Sequence, residues 1–207
     1  MKRILIPAIL LAALLLGGYG CTGNPKTVND AALAHLEQKY GEPFEYVSAW
    51  GSRYTTPGER RILVSCASLP DEKILVVIKG EGNTESYSDD YMGYYYAPYA
   101  TDYIQQVADN TFGVCTVKVS SILSSADEDV TPNTTSLDAY IHDQIHTVVG
   151  TLTIDSADEA TLVAFLDELK EIGVHFSLGI TVTSTNEEYS GRYYAGDSDV
   201  SLNRRGA

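Results

Sequence analysis

Basic residues are scarce in this chain: 14 lysines and arginines stand against 28 aspartates and glutamates in 207 residues, a formal net charge of −14 at pH 7. Such a surface lacks the clustered cations that nucleic acid or anionic headgroups require, which argues against a nucleic-acid partner. It favours solubility and leaves room for cationic partners or calcium. No regular D-x-D-x-D-G calcium loop occurs, however, and "DED" at 127–129 and "DSD" at 197–199 read as solvated loop.

Cysteine is equally sparse, with Cys21, Cys66 and Cys115 alone. That number excludes a disulfide-dense scaffold, and the lack of any C-x-x-C excludes a thioredoxin-type or zinc-ribbon motif. G-x-S-x-G, P-loop and dinucleotide fingerprints are missing too, so no cofactor is expected. The many carboxylates are dispersed, and without coordinates no pair of them can be singled out as acid and base.

What is present begins at the N-terminus, "MKRILIPAILLAALLLGGYGC". Lys2 and Arg3 precede an uncharged apolar run from Ile4 to Leu16, too short for a span of ~20 residues. Residues 1–20 therefore read as a secretory signal peptide. Gly17, Gly18 and Gly20 lead into Cys21, which resembles the lipobox cysteine of bacterial lipoproteins, although Gly18 and Tyr19 stand where an aliphatic and a small residue are usual. Cys21 is the expected lipidation site. Its acyl chains would hold the protein on the extracytoplasmic face of the cell membrane, and processing normally supplies more than one chain. Cleavage after residue 20 removes Lys2 and Arg3 and no acid, leaving a still more acidic mature chain. Residues 21–29 then form anchor and tether, polar and containing Gly23 and Pro25.

The remainder predicts an α+β fold. A first helix over "TVNDAALAHLEQKYG" places Leu33, Leu36 and Tyr40 on one face, with His35 exposed beside it and Gly41 as its stop. "FEYVSAWG" (44–51), "RRILVSCA" (60–67) and "KILVVIKG" (73–80) predict an antiparallel meander, followed by a tyrosine-rich segment, a helix and the strand of Cys115. Residues 30–120 thus make an N-terminal α+β region, and Ser/Thr/Asp-rich 121–136 a linker or long loop. A C-terminal region, 137–186, holds a short helix and a β-α-β unit. In that unit Ser156 and Glu159 form a capping box, Leu162, Phe165, Leu166 and Leu169 the buried face, and Gly173 the stop. The two strands should be parallel. His175, in the second strand, reads as a structural histidine, and 187–207 as a polar tail, frayed at its end.

The segment "SYSDDYMGYYYAPYATDY" (86–103) carries tyrosines at 87, 91, 94, 95, 96, 99 and 103. Pro98 disfavours helix at Ala97, which splits the segment into a strand and a helix. Tyr87, Tyr91 and Tyr95 then share one strand face, with Gly93 at a bulge or close ring contact. Tyr99, Tyr103 and Val107 form the buried stripe of a helix from Pro98 to about Asp109. Most of the tyrosines belong to the core or to a sheet face, which leaves Tyr94 and Tyr96, beside Met92, as the candidate ligand platform.

Cys66 and Cys115 each occupy the inward parity of a strand, so they could form a disulfide if those strands are neighbours, or remain buried thiols. In "HDQIH", His142 and His146 would share one helical face at metal-ligand spacing, a weak metal candidate because Asp143 replaces the glutamate of H-E-x-x-H. Both rings lie more simply on the wet side of a short helix.

"LEQKYGEPFEYVS" (36–48) and "SDDYMGYYY" (88–96) resemble segments of small lipoproteins of Gram-positive bacteria. In those proteins an L-E-x-K-Y-G-E helix end precedes a strand, and a D-x-Y-x-G-Y segment introduces a later helix. The resemblance covers about residues 28–120, implies architecture and the lipid anchor, and brings no activity. The expected function is a membrane-tethered binding or interaction module for a wall glycan, a peptide or an envelope protein. The alternatives are an extracytoplasmic hydrolase with dispersed carboxylates and a structural subunit of an envelope complex.

Overall fold

A computed structural model describes residues 28–51, 58–80, 84–124, 130–143 and 145–206. The signal peptide, Cys21, the tether up to residue 27 and "DED" at 127–129 lie outside the described residues. The chain is α+β, with two sheets of mostly antiparallel strands and helices packed against them.

Helix α1 (Val28–Tyr40) buries Ala32 and Leu36 and ends at Gly41, whose φ of 77° a side chain would strain. Strands β1 (Phe44–Ala49), β2 (Glu59–Cys66), β3 (Ile74–Lys79) and β4 (Ser86–Asp89) form the expected meander, extended by β4, in the order β1-β2-β3-β4. Period-two alternation buries Ile62, Val64 and Cys66 on β2 and Ile74, Val76 and Ile78 on β3. His35 is half-buried rather than exposed, because its ring stacks on Tyr87 of β4 at 4.7 Å. Further along α1, Lys39 and Tyr40 reach Asp89 at the end of β4. Helix α1 therefore runs with β4 and against β1. The start of α1, the end of β1, the start of β2 and the end of β3 gather at one end of this sheet, and the β2–β3 turn lies at the other.

The tyrosine segment corrects the expected strand-to-helix split. Only Tyr87 lies in a strand, while Tyr91, Tyr94, Tyr95, Tyr96, Tyr99 and Tyr103 all belong to one helix, α2 (Tyr91–Phe112), which runs through Pro98. Pro98 is solvent-exposed at the rim of an open groove, where water can serve the carbonyl that its missing amide leaves without a donor. The buried stripe is Met92, Gly93, Tyr96, Ala97, Ala100, Ile104 and Ala108. Tyr99 is 52% exposed, and Tyr103 and Val107 are half-buried at its flank.

Helix α2 covers the outer edge of β5 (Cys115–Leu123). An added Cβ at Gly93 would stand 2.1 Å from the Ile122 carbonyl oxygen, so only glycine permits this approach. Two side chains of α2 satisfy amides of the β5 edge that has no partner strand: Val117 donates to Gln105 Oε1 at 2.8 Å and Val119 to Thr101 Oγ1 at 3.0 Å. An edge strand blunted in this way offers no ladder to another chain.

The second sheet has the order β5-β6-β7-β8-β9, with β6 (Thr147–Ile154), β7 (Phe176–Val182), β8 (Glu187–Tyr193) and β9 (Ser201–Arg204). Strands β6 and β7 are parallel, as expected, and α4 (Glu159–Glu171) connects them, burying Leu162, Phe165, Leu166 and Leu169 before Gly173. Its cap is Asp158, which accepts from the Thr161 amide at 2.8 Å, not the expected Ser156, because the helix begins at Glu159. Of the two readings of segment 121–136, linker and long loop, the pairing on either side of it fits the loop. Strand β5 runs into it as far as Leu123 and pairs with β6 beyond it, so it is a connection within one sheet. The expected polar tail is instead a β-hairpin, in which β8 pairs with β7 and β9 with β8.

Candidate functional site

At the end of the first sheet that carries the β2–β3 turn, two sequence-remote segments lock together. Lys39 Nζ lies 3.0 Å from Asp89 Oδ2, with both side chains almost wholly buried. The Tyr40 hydroxyl and the Tyr91 amide donate to Asp89 Oδ1 at 2.6 and 3.1 Å. The Tyr40 and Tyr91 rings stack at 4.0 Å, and the Tyr91 hydroxyl donates to Glu42 Oε1 at 2.9 Å. Ser68 completes the set, giving Glu42 its hydroxyl and its amide. Burial alone would raise the Glu42 carboxyl, but the hydrogen bonds from Ser68 and Tyr91 outweigh it and hold the group below its ordinary range. Tyr40 and Tyr91 are pushed up, first by burial and then by the neighbouring carboxylates.

This network braces one wall of an open groove of about 640 Å³. The β2–β3 turn supplies Ser68, Leu69, Asp71 and Glu72, helix α2 supplies Tyr94, Ala97, Pro98 and Thr101, and β5 supplies Lys118 to Ser121. Hydroxyls, two carboxylates and one ammonium thus surround an apolar floor and a half-buried tyrosine ring. Burial raises the Tyr94 hydroxyl above its ordinary range, and the carboxylates of Asp90 and Glu72 add to it. Asp90 accepts from the Leu75 amide at 2.7 Å, and burial pushes its carboxyl up to about 6. The arrangement presents acceptors and an aromatic face to a polar ligand, with a neutral hydroxyl at Tyr94 across the physiological range.

The two residues of the candidate platform part company. Tyr94 lines the groove, whereas Tyr96, on the far side of the same helix, is 6% exposed and donates its hydroxyl to the Thr135 carbonyl. A helix turns about 100° per residue, so positions two apart diverge where a strand would align them. Cys66 and Cys115 belong to different sheets and are free thiols, so the condition for a disulfide fails. Cys115 lies against Gln105 and Asp109, and burial, then Asp109, raises its thiol.

The expected helix over "HDQIH" does not form either. Helix α3 (Leu137–Ile141) stops at His142, and among the described residues no cluster of three metal-ligating side chains occurs. His146, expected on the wet side, is 4% exposed, its ring tilted against Tyr140 at 4.0 Å and hydrogen-bonded through Nδ1 to the Tyr140 carbonyl. His142 packs against Tyr103, and His175, buried just before β7, against Tyr193. Their Nδ1 atoms have no hydrogen-bond partner among the described residues, so the buried histidine at 175, structural as its place in the sequence suggests, is held by ring packing at that side.

Sequence reasoning passed over Ser68, Glu72, Asp89, Asp90, Thr101 and Lys118. One signal was available: Lys39, Tyr40, Glu42, Asp89 and Tyr91 all fall in the two quoted segments, which the fold turns into a single contact. No family model and no curated protein matches the chain. Among solved structures it is similar to a DUF5037 family protein from Ruminococcus gnavus, at 9% identity and a TM-score of 0.40, over 83% of this chain and 93% of that one.

Proposed function

We propose that the protein is a lipid-anchored extracytoplasmic binding module whose groove takes a polar, polyhydroxylated ligand, a wall glycan in the first instance. The observation that carries this reading is the groove itself. It sets the Tyr94 ring and the hydroxyls of Ser68, Thr101, Ser120 and Ser121 around an apolar floor, the mixture of stacking surface and orienting polar groups that small-ligand sites use. Cys21, after a signal-length apolar run, supports anchoring at the outer face of the membrane. Among the described residues no helix is long and apolar enough to cross a membrane.

Residues 22–207, titrated with purified cell-wall fractions and followed by tyrosine fluorescence, should give a saturable response. Tyr94→Ala should weaken it at least tenfold, ~1.4 kcal/mol, without changing the melting temperature by more than a few degrees. Trp50 joins the sheet opposite Arg61, at the end away from the β2–β3 turn, and should not respond. No saturable response with any fraction, or a Tyr94→Ala variant that binds like the parent, would defeat the proposal. A hydrolytic reading draws on Glu72 and the raised Asp90 near Tyr94; release of reducing ends from the same fractions, lost in Glu72→Gln, would establish it instead.

A further inference from the structure

The end of the first sheet opposite the groove carries the chain's only tryptophan. Trp50 follows β1, donates its amide to the Arg61 carbonyl at 2.9 Å and leaves its side chain 51% exposed. Tyr46 and Val47, on the same edge strand, are 45% and 43% exposed, and the pairing of Tyr46 with Val64, itself opposite Ile74 at the start of β3, sets them nearer the groove end. Strand β1 shifts register between Tyr46 and Ser48, the bulge that keeps such an edge from pairing with another strand. These apolar residues are thus exposed without forming a flat template for a second chain.

The path of the backbone says what this end faces. Helix α1 runs against β1, so Val28 lies at the end where Trp50 lies, together with the start of β2 and the end of β3. Between Cys21 and Val28 the chain can reach at most ~25 Å. If Cys21 is anchored, Val28 stays within that distance of the bilayer, so this end is nearer to the anchor along the chain than the groove is. The charge distribution agrees. Among the described residues of α1 and the first sheet the charges at the Trp50 end balance, with Arg60, Arg61 and Lys79 against Asp30, Glu59 and Glu85, while the opposite end carries Glu37, Glu42, Glu45, Asp71, Glu72, Asp89 and Asp90 against Lys39 and Lys73. An acidic molecule approaches an anionic surface by the end where its own charge cancels.

We propose that Trp50 forms a membrane-interface contact that seats the anchored protein on the lipid surface and directs the groove outward. Tryptophan is suited to this place, since its ring is apolar and its N–H remains able to meet water or headgroups. The inference rests on lipidation of Cys21, and the test separates the two.

The full chain, processed with its anchor and reconstituted in phosphatidylcholine vesicles, reports through its single indole. Brominated acyl chains should quench Trp50 emission by at least half, the emission should shift to the blue, and aqueous iodide should lose most of its access. In a Trp50→Phe, Tyr99→Trp double variant the only indole is at an exposed position of α2, beside Pro98 of the groove, and bromolipids should leave it unquenched. An acyl adduct on Cys21 with Trp50 still open to iodide and untouched by bromolipid overturns the contact and leaves the anchor standing. Protection from iodide without bromolipid quenching, growing with protein density, overturns it in favour of a second copy. Absence of an adduct, with no flotation of the chain, removes both the anchor and the contact.

Discussion

Lys39 and Asp89 make an ion pair at 3.0 Å with side chains 4% and 1% exposed, joining the last turn of α1 to the end of β4. Both groups are dehydrated, and Tyr40 and the Tyr91 amide share the carboxylate. Lys39→Met would leave that carboxylate buried without its counter-ion, which costs ~3–5 kcal/mol. Urea denaturation should show the loss as a lower midpoint with an unchanged slope. A loss below ~1 kcal/mol would mean that water screens the pair as it does on a surface.

Asp90 makes stability depend on pH in the opposite sense to a paired carboxylate. Its folded pKa, about 6, lies above the ordinary 3.8 because burial disfavours the charged form. The folded state therefore binds the extra proton more readily, and stability is lost as pH rises from about 4 through about 6. Asp90→Asn can still accept from the Leu75 amide and escapes this cost, so it should melt higher than the parent at pH 7.5, by at most ~3 kcal/mol. The difference should vanish near pH 4. A variant less stable at pH 7.5 would contradict the assignment.

Gly93, in the first turn of α2, and Gly113, just past its end, should respond differently to alanine. At Gly93 the new Cβ would meet the Ile122 carbonyl oxygen at 2.1 Å, a backbone atom that cannot step aside. Destabilisation of ~3 kcal/mol or a failure to fold is expected. At Gly113 the space is open and only the backbone is strained, at φ +74° with ψ −105°, outside the left-handed helical region, so ~1–3 kcal/mol should be lost. Thermal melts of the two variants compare close approach with backbone strain, and equal effects would remove the distinction.

Gln105 holds the Val117 amide at the outer edge of β5. Gln105→Ala should weaken the fold by ~1–2 kcal/mol, because the amide loses its acceptor where α2 covers it. Hydrogen exchange should quicken at Val117 and leave Leu152, across the ladder on β6, largely protected. Exchange at Val117 equal to the parent's would mean that water already serves this amide.

Much of the fold was legible because periodicity reports burial directly. The apolar face of α4 and the alternation on β2 and β3 recur at the spacing that their elements require. The tyrosine segment misled because a spacing of four is a multiple of two and nearly one helical turn, so strand and helix fit it equally. Pro98 would have decided for a break had it been buried. The hairpin of β8 and β9 escaped because its residues are polar, and β8 owes its place to pairing with β7.

Taken alone, the amino-acid order determined the α+β class, the meander, the parallel β6–β7 pair and the acidity of the surface, all of which follow from local pattern or composition. It also marks Cys21 and the short reach from there to α1. Only the tertiary structure decided which polar residues meet. The groove draws on residues near positions 70, 97 and 120, and the Lys39–Asp89 pair joins residues 50 apart. Such contacts arise when burial of the apolar faces sets elements side by side, and no spacing along the chain encodes them. That same packing carries Trp50 to one end of the sheet and Tyr94 to the other.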